Sequence, residues 1–81
     1  MTLLNIGFGN LLALGRILSI LNPDSSPVKR IVHTSKGNGN LIDATCGRKT
    51  QSVIIMDSGH VVTSSLSAEV LENKINKNID T

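Results

Sequence analysis

The sequence contains almost no aromatic side chains: its 81 residues include one Phe and neither Tyr nor Trp. A core without aromatic rings has to be built from Ile, Leu and Val, which favours a β-sheet packed against one or two helices. So short a chain forms one small domain, whose thin core would gain from self-association. The same scarcity disfavours a single-stranded RNA-binding domain, because Phe8 is the one ring on which an unpaired base could stack.

Cysteine and histidine are equally scarce, with one Cys and two His. Cys46 has no partner for a disulfide, so the sequence is compatible with the cytoplasm, and we expect it to pack as a small apolar residue. His33, Cys46 and His60 lack the paired short spacings of zinc ligands. No serine lies in the sequence context of a catalytic nucleophile. We therefore predict no metal, no cofactor and no enzyme activity.

Long apolar runs are missing as well, since no segment reaches the roughly 18 apolar residues that a membrane-spanning helix needs. The apolar N-terminal stretch is interrupted by Asn5, Asn10 and Arg16, has no positive start and offers no small-residue cleavage site. This pattern argues against a signal peptide. The sequence predicts a protein that neither crosses membranes nor carries a targeting segment.

Positive charge is concentrated in the first part of the chain. Residues 1–56 contain six Lys or Arg and two Asp, a net charge of +4, whereas residues 57–81 contain two Lys and four Asp or Glu, a net charge of −2. This asymmetry indicates a face for an anionic partner, although scattered surface lysines would give the same count. Arginine can fork onto phosphate oxygens or the edge of guanine. The candidate contacts are Arg16, Arg30, Arg48 and Lys49.

The N-terminal third predicts strands and turns. Residues 3–8 and 14–21 are typical of β-strands, with a turn at residues 9 and 10. A helix over residues 10–21 remains an alternative, because the leucines and isoleucines also fit a period of 3.6. The Gly7-Phe8-Gly9 stretch lacks the third glycine of a dinucleotide-binding loop, so a turn is the better interpretation.

A helix is predicted after Asp24. Ser25 or Ser26 can cap its free N–H groups, and Pro27 suits its first position. Glycines 37 and 39 end it. Its predicted buried face is formed by Val28, Ile31 and Val32, and Arg30 lies on the outer side.

Three strands are predicted from Leu41 onward: LIDATC, TQSVIIM and HVVTSSL, joined as a meander by turns at residues 47–49 and 57–59. Arg48 and Lys49 would then project from a hairpin turn. A second helix begins after Ser67, with Val70, Leu71 and Ile75 as its apolar stripe. The expected fold is α+β, a small, mainly antiparallel sheet of about five strands with two helices, in the order β-β-α-β-β-β-α. One domain spans residues 1–76, followed by a frayed tail over 77–81.

Four blocks of the sequence, LLNIGFGN, ILSILNPDSSPVKRIV, LIDATCGRKT and VIIMDSGHVVTS, resemble in the same order the corresponding stretches of the RemA family, the bacterial extracellular matrix regulatory proteins. The resemblance covers about residues 3–71. It implies a cytoplasmic, non-enzymatic DNA-binding transcriptional regulator with an arrangement similar to the LytTR type of domain. It also implies a homo-oligomeric ring of seven or eight subunits that holds double-stranded DNA without a small-molecule substrate or cofactor.

By this resemblance Arg16, Arg30, Arg48 and Lys49 are the DNA contacts, and Pro27 is a structural residue at the helix start. The sequence departs from the family pattern at four positions: Gly15 for an asparagine, Cys46 for a tyrosine, and Lys49 and Gln51 for arginines. Lysine lacks the planar fork of arginine, so we expect charge attraction at position 49 without two-pronged phosphate binding.

The competing hypothesis is a structural or protein-interaction module that oligomerises through its edge strands without specific DNA binding, where the cations keep those edges soluble. The sequence leaves open the number of subunits, the target promoters, and the choice between activation, repression and DNA compaction.

Overall fold

The computed structural model describes residues 1–79, which form six strands and two helices. The strands are β1 (Leu3–Asn5), β2 (Leu11–Ala13), β3 (Ile17–Leu21), β4 (Leu41–Asp43), β5 (Ser52–Met56) and β6 (Val61–Ser64). The helices are α1 (Ser26–Asn38) and α2 (Ala68–Ile79), and a 3-10 turn covers Leu14–Arg16. The α+β class and the two helices are as predicted. There is, however, one strand more than expected, and the strands form two sheets.

The extra strand comes from the N-terminal region. The predicted strand over residues 3–8 stops at Asn5, because Gly7, Phe8 and Gly9 all have positive φ and turn the chain back. β2 pairs with β1 as a separate two-stranded antiparallel sheet. The strand predicted over 14–21 begins only at Ile17. The alternative of one helix over residues 10–21 is wrong.

α1 has the predicted caps, with small shifts. The Ser25 hydroxyl accepts a hydrogen bond from the Val28 N–H at 3.4 Å, so Ser25 and not Ser26 is the cap. Pro27 is the second helical residue, where an N–H group would have no partner within the helix, so the proline removes no hydrogen bond. Gly37 lies inside the helix, and Gly39 ends it with a φ of 76°.

The predicted meander is wrong in one respect: β4 and β5 are not neighbours. The four-stranded sheet has the order β3-β5-β6-β4, in which β5 and β6 form an antiparallel hairpin but β4 pairs in parallel with β6. All four residues of β6 are buried, which suits a central strand, whereas the three-residue β4 suits an edge. Residues 44–51 therefore form a connection that passes the end of β6, and Arg48 and Lys49 do not lie on a hairpin turn.

The four-stranded sheet is covered on both faces. Ile54 and Val62 pack on one side with Leu4, Ile6 and Leu71, and so against β1 and α2. On the other side, Val53 and Val61 pack against Val28 of α1. The buried faces of the helices are narrower than predicted, since Ile31 is 37% and Val70 is 41% exposed.

The C-terminal part of the chain forms α2, which the sequence predicted to begin after Ser67. The predicted tail over 77–81 starts within this helix, and positions 80 and 81 lie outside the described residues. Neither α1 nor α2 is long and apolar enough to span a lipid bilayer. The similarity to the LytTR type of domain stays a prediction.

Candidate nucleic-acid interface

The hairpin of β1 and β2 ends in a tight turn over residues 7–10. The Asn10 N–H donates to the Gly7 carbonyl at 3.0 Å. The Asn5 side-chain oxygen in turn accepts from the Gly7 N–H at 2.8 Å. Phe8 and Gly9 have φ values of 55° and 76°, and positive φ at both central positions is the signature of a type I′ turn. A bulky side chain is strained in this region, so Phe8 is held at the tip of the hairpin against its backbone preference.

The connection between β4 and β5 contains a second turn of the same kind. The Arg48 N–H donates to the Thr45 carbonyl at 3.0 Å, and the central residues Cys46 and Gly47 have φ values of 53° and 79°. Cys46 is exposed, so the prediction that it packs as a small apolar residue is wrong. Its place in the turn, outside any strand, directs it away from the core.

Asp43 anchors the start of this second turn. Its Oδ1 atom accepts hydrogen bonds from the Thr45 N–H at 3.0 Å, the Thr45 hydroxyl at 2.6 Å and the Thr63 hydroxyl at 3.1 Å. These bonds, above all the one from the Thr45 hydroxyl, hold the pKa of the Asp43 carboxyl below its usual value. The ionised carboxylate thus ties the turn to β6.

Two buried serines connect the bases of the two turns. The Ser64 hydroxyl donates to the Ile6 carbonyl at 2.7 Å and accepts from the Leu66 N–H at 3.0 Å. The Gln51 N–H donates to the Ser64 carbonyl at 2.8 Å, and the Ser52 hydroxyl donates to the Leu66 carbonyl at 2.7 Å. Residues 64–66 therefore hold the chain just before the first turn and, at Gln51 and Ser52, the chain that follows the second turn.

The side chains of the two turns meet. The Arg48 guanidinium carbon lies 5.6 Å from the centroid of the Phe8 ring, within the range of a cation–π contact. Phe8 remains 51% exposed. The sequence placed Phe8 in a turn and Arg48 among the cations, but no local pattern indicated that they touch. The two turns share one sequence signal, a non-glycine residue followed by Gly after a strand. It occurs at Phe8-Gly9 and at Cys46-Gly47.

Lys49 lies next to the chain that leads into α1. It lines a polar cleft together with Asn22, Pro23, Asp24, Thr50, Gln51 and Ser67. A second cleft shares Pro23 and Thr50 and includes Lys29 of α1. Lys49 therefore lies close to the chain segments that precede both helices.

Arg16 lies elsewhere on the protomer. It ends the 3-10 turn, and its guanidinium pairs with the Asp57 carboxylate at 3.1 Å while staying 71% exposed. Because Ile17 pairs with Met56 and Leu21 with Val53, Arg16 and Lys49 lie at opposite ends of β5. β5 alone separates them by about 13 Å along the strand.

Arg30 is exposed on α1, two positions after the buried Val28 and hence on the outer side of the helix, as predicted. Pro27 is exposed in the first turn. Arg48 and Lys49 are consecutive residues of one connection, whereas Arg16 lies beyond the far end of β5 and Arg30 on the outer side of α1. The roles of these residues toward DNA stay predictions.

Comparison with known proteins gives the family. The model of the RemA-like family, described as extracellular matrix regulatory protein A-like, matches residues 3–75. The chain belongs to this family. The resemblance seen in the four sequence blocks is confirmed.

Relatives of this RemA-like chain come from several organisms. A protein of Synechococcus is 51% identical over 72 residues, which cover 89% of this chain and 81% of the relative. Proteins of Thermodesulfovibrio yellowstonii and Geobacillus kaustophilus are 51% and 48% identical over 75 residues, covering 93% of this chain and 88% and 86% of the relatives. Each is described as a "Putative regulatory protein".

Among residues 1–79 of the RemA-like chain, no three His, Cys, Asp or Glu side chains are grouped as metal ligands.

Proposed function

We propose that this RemA-like protein is a cytoplasmic, non-enzymatic regulator of transcription that assembles into a homo-oligomeric ring and binds double-stranded DNA. Arg16, Arg30, Arg48 and Lys49 contact the phosphates. The observation that carries the proposal is the display of Arg48 and Lys49 on a connection that is fixed by Asp43 before the turn and by bonds of Gln51 and Ser52 after it. The regulatory description of the relatives supports it.

The distribution of charge over the fold supports an anionic partner. α1 carries Lys29, Arg30 and Lys36 and no acidic residue, whereas α2, on the opposite face of the sheet, carries Glu69 and Glu72 as well as two lysines. The two helices therefore differ in charge, because α1 is net positive whereas the charges of α2 cancel. A positive face attracts the DNA backbone without regard to base sequence.

The edges of the four-stranded sheet support assembly. β3 and β4 are its two edge strands, and they expose the apolar side chains of Leu18 (67%) and Ile42 (49%). The two edges differ in length and sequence, so a contact between them would be head-to-tail, and repeated contacts of this type close into a ring when the rotation allows. Repetition would combine the separate cations of each protomer into one multivalent surface.

The proposal is tested by measuring the mass of the assembly in solution and its affinity for duplex DNA over a range of salt concentrations. Arg48→Ala and Arg16→Ala should keep the mass of the oligomer. Each should weaken DNA binding and reduce the slope of log affinity against log salt by about 0.9 for every phosphate that is no longer neutralised. Unchanged affinity in both variants would overturn the assignment of these residues to DNA.

The exposed side chains of Leu18 and Ile42 also favour the second candidate, an interaction module that oligomerises without specific DNA binding. The same titration separates the two functions. A stable oligomer that ignores duplex DNA at low ionic strength identifies the interaction module, whereas a protein that binds DNA as a monomer contradicts it.

A further inference from the structure

Phe8 has a backbone conformation that is unfavourable for a bulky residue. Type I′ turns favour Asn, Asp or Gly at their central positions, because these residues tolerate positive φ. Phe8 instead has a φ of 55°, and half of its surface stays exposed. Burial in the core therefore does not account for the ring. Strained residues of this kind concentrate at binding sites, where the strain serves the function.

The contact that Phe8 makes is with Arg48, across 5.6 Å from ring centroid to guanidinium carbon. Both turns are anchored to the buried Ser64, which bonds the Ile6 carbonyl before one turn and accepts the Gln51 N–H after the other. The fold thus sets the backbone positions of the two turns, and the Phe8 ring and the Arg48 guanidinium lie within reach of each other.

We propose that Phe8 is a positioning residue for Arg48, an inference that rests on the proposed DNA binding. The Arg48 guanidinium carbon lies over the aromatic ring. The guanidinium carries five N–H donors, so a contact with the ring leaves donors for a phosphate. Holding the side chain in place before binding reduces the rotamer entropy that is lost when the phosphate is bound. Within the described part of the chain Lys49 has no aromatic partner, so Arg48 is the stronger of the two adjacent contacts.

The test uses substitutions of Phe8 in the full chain and measures affinity for a fixed DNA duplex, oligomer mass and thermal midpoint together. Phe8→Leu keeps an apolar side chain but removes the aromatic face, and Phe8→Asn supplies the residue that the turn prefers. Both should weaken DNA binding about 2- to 5-fold per engaged protomer, the equivalent of an exposed cation–π contact. Phe8→Tyr keeps the ring face and should bind DNA with the affinity of the unaltered protein.

Phe8→Asn distinguishes positioning from a structural role. Because Asn followed by Gly fits a type I′ turn, the thermal midpoint and the oligomer mass should be maintained while affinity falls. A fall in affinity that only accompanies a fall in thermal midpoint would overturn the inference. Leu11→Asn is the matched control, an apolar residue of the same hairpin that is 54% exposed, and it should leave affinity unchanged.

A double-mutant cycle tests the coupling directly. In the Arg48→Ala background, Phe8→Leu should have no further effect on affinity. Additive losses would show that Phe8 acts independently of Arg48 and overturn the positioning role. If Arg48→Ala weakens binding but Phe8→Leu and Phe8→Asn do not, this inference fails while the proposed function stands. If the unaltered protein ignores DNA at low salt, both fail.

Discussion

Gly47 sets the direction of the chain between β4 and β5 through its φ of 79°, with open space around the position of an added Cβ. At the residue scale, the backbone conformation and not the available space therefore decides which side chains are tolerated. An alanine at this position would be strained by about 1–2 kcal/mol.

We expect Gly47→Ala to lower the free energy of unfolding by that amount and to weaken DNA binding by displacing Arg48. Chemical denaturation and DNA titration measure the two effects. Gly15→Ala is the matched control, because Gly15 also has open space around it but no positive φ. Equal stability losses in the two variants would contradict the role of the turn.

Asp43 makes the stability of the same turn depend on pH. Its pKa is lowered in the folded protein, chiefly by the Thr45 hydroxyl. The stability that the ionised Asp43 carboxylate contributes is therefore complete above the unfolded pKa of about 3.9. It is lost as pH falls through the lower folded pKa. We expect Asp43→Asn to be less stable than the unaltered protein at pH 7, by on the order of 1 kcal/mol. The difference should shrink below about pH 4.

Acid titration of the unfolding free energy checks this expectation. Glu72→Gln, an exposed carboxyl on α2, is the control, and its stability difference from the unaltered protein should not show the same decline. A difference for Asp43→Asn that stays constant from pH 7 to pH 3 would exclude the charge-assisted bonds as its source.

Single residues were only partly predictable from the sequence. The exposure of Arg16, Arg30, Arg48 and Lys49 follows from their chemistry. The contact between Phe8 and Arg48 does not, since the two lie 40 positions apart. Their turns are linked through Ser64, whose hydroxyl donates to the Ile6 carbonyl and whose carbonyl accepts from the Gln51 N–H. Local patterns carry no information about which turns share an anchor.

At the scale of the elements, α1 offers a direct test of its cap. The Ser25 hydroxyl accepts the Val28 N–H, whereas Ser26 is the first helical residue. Ser25→Ala should therefore destabilise the protein by about 1 kcal/mol, and Ser26→Ala should change stability little. Thermal unfolding of the two variants measures these effects. A larger loss of stability for Ser26→Ala than for Ser25→Ala would show that Ser26 is the cap and that the helix starts one residue later.

Local signals determined the helices more closely than the sheet. Ser25 and Gly39 mark the ends of α1 by capping chemistry that acts over a few residues. The place of β6 between β4 and β5 depends instead on long-range packing, which buries all four of its residues, Val61–Ser64. Consecutive strands usually pair, and no local pattern in residues 41–64 indicated an exception.

For the whole molecule, the exposed apolar residues at the two sheet edges predict which substitutions would break the proposed assembly. Leu18→Lys or Ile42→Lys should lower the mass of the oligomer, because a charge cannot be buried there without a partner. Affinity for DNA should fall with the mass, since the multivalent surface is lost. Leu11→Lys, an exposed leucine on the two-stranded sheet, is the control for mass. Light scattering gives the result, and unchanged mass in both edge variants would exclude these edges as the interface.

The separation of Arg16 from Lys49 is a property that only the folded molecule reveals. Both belong to the positive part of the sequence, and the charge count predicted a common face. Pairing of β3 with β5 places them at opposite ends of a strand. Composition therefore indicated an anionic partner, whereas the geometry shows that the cations of one protomer are divided between regions.

The strand order also determines when the sheet can form during synthesis. β3 and β4 lie at opposite edges, and each pairs with a strand from the segment after residue 51. A nascent chain that ends before β5 therefore contains two strands of this sheet and no partner for either. Neither β3 nor β4 can pair within this sheet until β5 and β6 have been synthesised, so a growing polypeptide gains its larger sheet late and within a short stretch of translation.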